Sequence, residues 1–592
     1  MMKTLKYLLK NSIVICLICC CLGMTTAETP PFFSTDIVLN EQGEMYLTQK
    51  VLKRVDKFSP DGKTLLRSYP LDDEPTGIVL KDGKAYVTTF SSVGRLQILN
   101  LESGRIEAAI PTGSGACYPM FGPDGKMLYV FNQFQNTVSE IDPQAHKIMR
   151  TVKVLREPVS AVFSKDGRYM YVTNYLPAMR ADLDYVACEL SVIDMATFTK
   201  VKDIMLANGS NAVRGITITP DGKFVYVAHN LGRYTVPTSQ LQQGWMNTSA
   251  FSVIDTEKQE FMGAIVVDEP ERGAAGIWNI ACNEENVFVL HSGTHEVSVI
   301  DHPTMIDKFV KYPNKELLDY DLRFLYGMRE RVALGGNGPR SMVLTDNKLI
   351  IPTYFADILN FVDLETNAVT SVDMNPGRTE TAENKGEKYF NDAANCFQNW
   401  QSCNGCHPGD ARMDAMNWDL MNDGVGNSKN CKSLLYSHVT PPCMISGIRA
   451  SAEIAVEKGF THIQFYELDR ESLDCVDAYL KGLEAVPSPY LINGELSDKA
   501  KDGRKVFDKL KCGQCHSGPY YTDGKLYRIG EDIEFEGGWD TPTLREVWRT
   551  APYLFDGRAA TMEDVFEIHK HGIDKKISKK EIEALSEYVN SL

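Results

Sequence analysis

Two things are scarce in this chain: positive charge and, past its first residues, long apolar runs. Lys and Arg number 62 against 78 Asp and Glu in 592 residues, for a formal net charge of −16. Nucleic acids and anionic membrane faces draw affinity from clustered Lys and Arg, so no nucleic-acid role is expected. After residue 27 no stretch approaches the ~20 apolar residues of a spanning helix, so no transmembrane segment is expected. Between residues 36 and 374 there is no Ser/His/Asp set, phosphate loop or zinc spacing. The cysteines do not form a disulfide framework either. Cys16, Cys19, Cys20 and Cys21 fall in the N-terminal run, and outside two Cys-x-x-Cys pairs the remaining seven are an odd number, so at least one is expected free.

The N-terminal run itself is informative. Lys3, Lys6 and Lys10 precede apolar residues from Ile13 to Leu22, and Thr25-Thr26-Ala27 supplies small residues for cleavage, so residues 1–27 read as a secretory signal. The protein is expected to be periplasmic or otherwise exported. A lipid anchor at Cys20 is the lesser alternative, because Cys19 stands where a small residue is required.

Residues 28–375 repeat. Ser59-Pro60-Asp61-Gly62, Pro123-Asp124-Gly125, Lys165-Asp166-Gly167 and Pro220-Asp221-Gly222 are Asp-Gly turn signals between apolar runs. An apolar strand ending in Asp or Asn closes at Asp56, Asn100, Asp142, Asp194, Asp255, Asp301 and Asp363. Seven such copies, at a period of about 40–60 residues, predict an all-β propeller of seven four-stranded blades. Longer spacings predict insertions at 178–188, Leu231–Thr248 and Asn314–Arg331, the last with helical periodicity. Tyr171-Val172-Thr173-Asn174 and its relatives resemble the YVTN family of propeller repeats, which implies an architecture and no activity.

Beyond Asn375-Pro376-Gly377 the pattern turns mainly helical, with helices predicted at Thr381–Asn395, Glu471–Leu483 and Ser578–Leu592. Pro487-Ser488-Pro489 divides this region into two cytochrome c-type domains, 380–490 and 491–592. Each holds one Cys-x-x-Cys-His: Cys403, Cys406 and His407, then Cys512, Cys515 and His516. This is the covalent haem c motif, two thiols for thioethers and the adjacent His for the iron, so two covalent haems are expected.

A sixth iron position separates electron transfer from chemistry. Downstream of the second motif, Thr561 and Asp564 form a capping box, and Met562, Val565, Phe566 and His569 share one helical face. His569 is the expected second ligand of the second haem, with Met562 the competitor.

The two haem motifs, Thr541-Pro542-Thr543-Leu544-Arg545 and Thr550-Ala551-Pro552-Tyr553 followed by Asp556-Gly557 resemble the bacterial di-haem cytochrome c peroxidase family and its MauG-type relatives. That resemblance implies an oxidoreductase in which hydrogen peroxide, or another small oxidant, meets the first haem while the second relays electrons; the electron donor or organic substrate stays unnamed. The alternatives are a non-catalytic electron carrier with a propeller docking module, and a propeller receptor with accessory haems. The family's resting ligand on the first haem falls at Asn422, an amide that binds iron poorly and implies an open iron; His438 is the rival. The family's distal Gln/Glu pair falls near His462 and Glu467. The resemblance also implies a calcium ion held by Asn430, Thr550 and Pro552, and puts Ile445 where the family has a Trp between the haems. In the propeller, Trp245, Asn247, Arg233 and Tyr234 are candidates for capping the first haem.

Overall fold

The structure, a computed structural model, describes residues 28–91, 93–236, 244, 246–420, 424, 426, 428–529 and 536–592. The signal-like segment, Asn422 and Trp245 lie outside the described residues.

The repeated phrases do local work that explains their recurrence. In the Asp-Gly turns the carboxylates of Asp61, Asp124, Asp166 and Asp221 accept the backbone N–H two residues on, at 3.0–3.1 Å, while the following glycines sit at φ of 67–77°, where a side chain is disfavoured. The strand-ending Asn100, Asp142, Asp194, Asp255 and Asp363 likewise cap the turns that follow them. Asp301 instead caps the helix His302–Lys311 by accepting from Thr304 N–H at 2.9 Å.

These turns fold residues Ser34–Asp373 into seven antiparallel sheets, one per predicted blade. The fifth differs, since Ser210–Asn211 and Ile216–Ile218 both pair with the long strand Phe224–Gly232. Each blade is contiguous in sequence, and the ring closes by a clasp of side chains. Asp357, fully buried, accepts from Phe32 N–H, pairs with Arg378 at 2.6 Å and receives Asn375 Nδ2 at 2.9 Å. The core runs between adjacent blades as apolar clusters, the largest joining blades five and six around Phe251, Phe309 and Phe324. The helical insertion predicted at 314–331 sits earlier. The α-helix is His302–Lys311, where Asp301 and Pro303 start it, and only a 3₁₀ segment, Lys315–Tyr320, follows. Leu318, Leu322 and Leu325 are buried there without a helix to order them.

The C-terminal region is two helical modules built on one plan. In the first, Ala382–Asn391, opened by a Thr381 capping box, packs against Arg470–Lys481. In the second, Asp498–Lys509 packs against Lys579–Asn590. Both crossings are made at a glycine whose missing side chain lets backbones touch. A Cβ on Gly386 would lie 1.9 Å from Cys475 O, and one on Gly503 1.8 Å from Ala584 O. Among the described residues no helix is long and apolar enough to cross a membrane, and none of the eleven cysteines is in a disulfide.

Gly503 tests this packing. In an isolated helix Gly→Ala gains about 1 kcal/mol of propensity, whereas overpacking costs about 1–3 kcal/mol or more. With backbone oxygen as the obstacle, Gly503→Ala is expected to lower the thermal midpoint of the second module; a raised midpoint would show that the helices part freely.

Candidate haem centres

Each Cys-x-x-Cys-His opens onto its own cavity. The first, about 290 Å³, is lined by Cys403, Cys406 and His407; the second, about 380 Å³, by Cys512, Cys515 and His516. In both, the His Nδ1 lies 3.1 Å from the carbonyl five residues on, Arg412 O for His407 and Tyr521 O for His516. With Nδ1–H donated there, Nε2 is left as the ligating atom, the usual second-shell arrangement of a metal-bound imidazole. Burial lowers the pKa of both imidazoles, keeping them in the neutral form that ligates. Burial pushes the Cys403 thiol up to about 12 and Cys512 up to about 11, so these are not thiolates poised for redox exchange. Paired thiols and a fixed imidazole on an apolar cavity fit a covalently held haem.

The second cavity contains another histidine, and it is not His569. The helix predicted to carry His569 spans only Met562–Glu567. Beyond it the turn widens, His569 N–H reaching Asp564 O and His571 N–H reaching Val565 O, both at 3.1 Å, and Lys570 takes a positive φ of 52°. Helical spacing no longer applies there. His571 lines the cavity, its ring centroid 6.3 Å from that of His516, whereas His569 is not among the lining residues. Burial first, and the neighbouring His516 second, hold His571 down to about 4 and therefore neutral. Met562 also lines this cavity.

One wall of the first cavity is a π-helical segment, Gly459–Gln464, which contributes His462 and Gln464. His462 lines the cavity from an exposed position, its Nδ1 2.7 Å from Thr461 Oγ1. Glu467 is exposed and does not line the cavity, because Phe465 turns left-handed at φ 51° and carries the chain outward. The residue passed over in the sequence is Gln464. It is 3% exposed, donates Nε2 to Cys403 Sγ at 3.4 Å and leaves Oε1 without a partner. Its signal was the Gln itself, two residues past His462, hidden by the π-turn's altered phase. His438 is engaged elsewhere, Nε2 3.0 Å from Asp477 Oδ1.

Asn430, Thr550 and Pro552 do come together, but Asn430 Nδ2 donates directly to Pro552 O. Asn430 Oδ1 is left buried there without a partner. Asn430, Cys431, Lys432, Ile445 and Asp540 line both cavities, so one wall separates the two centres with Ile445 in it.

The propeller reaches the first centre. Asn247 of blade five donates Nδ2 to Cys406 Sγ at 3.2 Å, and Tyr234 packs in the cluster that includes Cys406 and Trp418. Arg233 is instead buried in an ion pair with Asp319 at 3.1 Å.

Comparison with known proteins agrees with a haem-related propeller. Residues 82–226 match the family model described as Cytochrome D1 heme domain. The chain is 26% identical to Hydrazine synthase subunit gamma of Kuenenia stuttgartiensis over 272 residues, 35% of this chain and 76% of that protein. To subunit beta of the same enzyme it is 24% identical over 196 residues, 30% of this chain and half of that protein. A solved chain of Kuenenia stuttgartiensis Hydrazine Synthase superposes with a TM-score of 0.51 at 18% identity, covering 60% of this chain and 98% of that one. This last likeness shows the fold alone.

The two helical modules are joined through Arg412, whose carbonyl holds His407. Its guanidinium pairs with both oxygens of Glu546 at 2.7 and 3.0 Å, both residues buried, and Glu546 also accepts Val486 N–H. Removing one partner strands a buried charge at a cost of about 3–5 kcal/mol, while an apolar pair of similar volume avoids it. Glu546→Ala is therefore expected to destabilise the protein by that amount in thermal unfolding, and Arg412→Met with Glu546→Leu to recover most of the loss. A double variant as unstable as the single one would refute the ion-pair account.

Proposed function

We propose that the chain is an exported di-haem oxidoreductase with divided labour, in which a small inorganic molecule is transformed at the first centre and electrons pass through the second. The observation that carries this reading is the asymmetry of the cavities. The second holds two facing imidazoles, His516 and His571, at 6.3 Å between centroids. Two rings bound to one metal from opposite sides, with metal–nitrogen bonds of about 2.0–2.1 Å, have centroids about 6 Å apart. The first cavity is lined by His407, by buried Gln464 and by exposed His462, and no second buried imidazole lines it among the described residues.

A bound haem supplies an iron that exchanges electrons and, where its sixth position is free, takes up a small ligand. The chain's own residues do the rest. Cys403 and Cys406 anchor, and Arg412 O orients His407. Gln464 presents an amide oxygen without a partner inside the cavity, and exposed His462 is placed to pass protons between solvent and the mouth. Arg449 and Lys432, also on this cavity's lining, supply positive charge for haem carboxylates. The wall shared by the two cavities carries Ile445, so electron exchange between haems held on either side would have no aromatic relay at that position.

The substrate class follows from two sources. Resemblance to di-haem peroxidases supports hydrogen peroxide; similarity to proteins named hydrazine synthase supports small nitrogen compounds.

Two substitutions test the division. His571→Ala is expected to convert the second haem from low spin to high spin and to add a second carbon monoxide-binding site in the reduced protein. His569→Ala should leave both spectra as in the wild type. Loss of the low-spin signal in His569→Ala instead would restore His569 as the ligand. A near-infrared sulfur-to-iron band in the wild type would assign Met562. Turnover of hydrogen peroxide against hydroxylamine, with a small reduced donor, would then separate the substrate classes.

A further inference from the structure

A third cavity, about 390 Å³, lies where all seven blades converge. Blades one to seven contribute Asp36, Thr76, Tyr118, Ser160, Arg214, Trp278 and Arg340 to its lining, and the haem modules close it with Phe390, Asn404, Asp410 and Arg549. Asn404 is inside the first Cys-x-x-Cys-His, and Phe390 lines both this chamber and the first haem cavity. The chamber thus lies directly behind the haem attachment loop and apart from the haem cavity.

Its charge arrangement is unusual. Arg214, 8% exposed, lies 4.0 Å over the Trp278 ring, and Arg340 lies 4.1 Å over the same ring and 3.9 Å over Tyr354. Two guanidiniums on one indole repel each other. Arg214 spends its donors on Ala212 O, Ile277 O and Tyr175 OH. Arg340 has only a long contact to Asn391 Oδ1 at 3.4 Å, and its Nε is buried without a partner, as is the Oγ of adjacent Ser341. Neither arginine makes an ion pair among the described residues.

The chamber's own carboxyls are otherwise committed. Asp36 accepts from Ile37 and Ile78 N–H, and burial raises it to about 6. Burial also raises Glu387, and Lys50 lies within electrostatic reach of Glu387, Asp410 and Glu74. Arg549 has Glu157 and Glu546, each at 3.7 Å. Arg340 lies within electrostatic reach of Glu387 and Asp410, and Arg214 of Asp410, but no carboxylate oxygen comes to ion-pair distance of either arginine among the described residues. A buried donor left unmade costs free energy, and a guanidinium's planar fork matches a carboxylate or planar oxyanion.

We propose that this axial chamber binds a small planar anion, a carboxylate or an inorganic oxyanion, held between Arg214 and Arg340 with Ser341 Oγ as a further donor. The volume lies within the range of small-molecule sites. The inference goes beyond the haem reading and stands without it, since none of these residues belongs to a haem cavity.

Calorimetric titration of the intact haem-loaded protein with oxalate and with nitrate, against chloride at equal ionic strength, tests it. Oxalate binding alone would mark a carboxylate site, and nitrate binding alone an oxyanion site. The expected result is one-to-one binding of at least one anion with an unchanged Soret band. Arg340→Gln and Arg214→Gln should each weaken it at least about tenfold, 1.4 kcal/mol. Ser341→Ala, which changes little else, should weaken it about threefold, the size of one neutral hydrogen bond, and decides the matter should an arginine variant fail to fold. No binding of either anion beyond chloride, binding unaffected by Ser341→Ala and Arg340→Gln, or binding that moves the Soret band in step would overturn the proposal.

Discussion

The arrangement depends on one buried residue, Arg412. Its main chain fixes the imidazole of His407 and its side chain clamps Glu546 of the other helical module. A carbonyl that orients a metal ligand is only as stationary as the residue carrying it. Anchoring that residue by a bidentate ion pair across the module boundary couples the geometry of the first centre to the docking of the second. Lys432, on the shared wall, adds a second tie across the same boundary by pairing with Asp540 at 2.8 Å.

The propeller acts as a wall and a floor. Trp400, 2% exposed, joins Leu231, Ala250 and Val266 of blade five in one apolar cluster, and Gly273 of blade six lies so close to Asn399 O that a Cβ would sit 2.5 Å from it. On the opposite side Arg549 covers Phe134 of blade three at 4.5 Å while Trp548 meets the same ring edge-on. Gripped at both edges, the helical modules close the propeller axis, and this closure creates the axial chamber. A rigid seat of this kind also explains how blade five can place Asn247 against Cys406.

Legibility from sequence followed the range of the interactions. Turn chemistry is local, so Asp-Gly and strand-ending Asp announced all seven blades, and the Thr561 capping box and the Cys-x-x-Cys-His motifs were equally plain. Extrapolation failed where backbone phase changed. His569 satisfied helical spacing only for a helix longer than Met562–Glu567, and the widened turn that follows delivers His571 instead. The π-turn at Gly459–Gln464 shifted the face in the same way, bringing Gln464 in and leaving Glu467 out. The paired arginines and Trp278 come from successive blades, and although positions 214, 278 and 340 are spaced like the blades themselves, the repeat alone does not show which side chains meet on the axis.

The central claim is that the two centres differ in kind, one open and one closed by two histidines. Electron paramagnetic resonance of the oxidised, haem-loaded wild-type protein tests it most directly, because each iron reports its own spin state. The account predicts one high-spin signal from the first centre and one low-spin bis-imidazole signal from the second. Two low-spin signals would contradict it and leave a chain that only carries electrons.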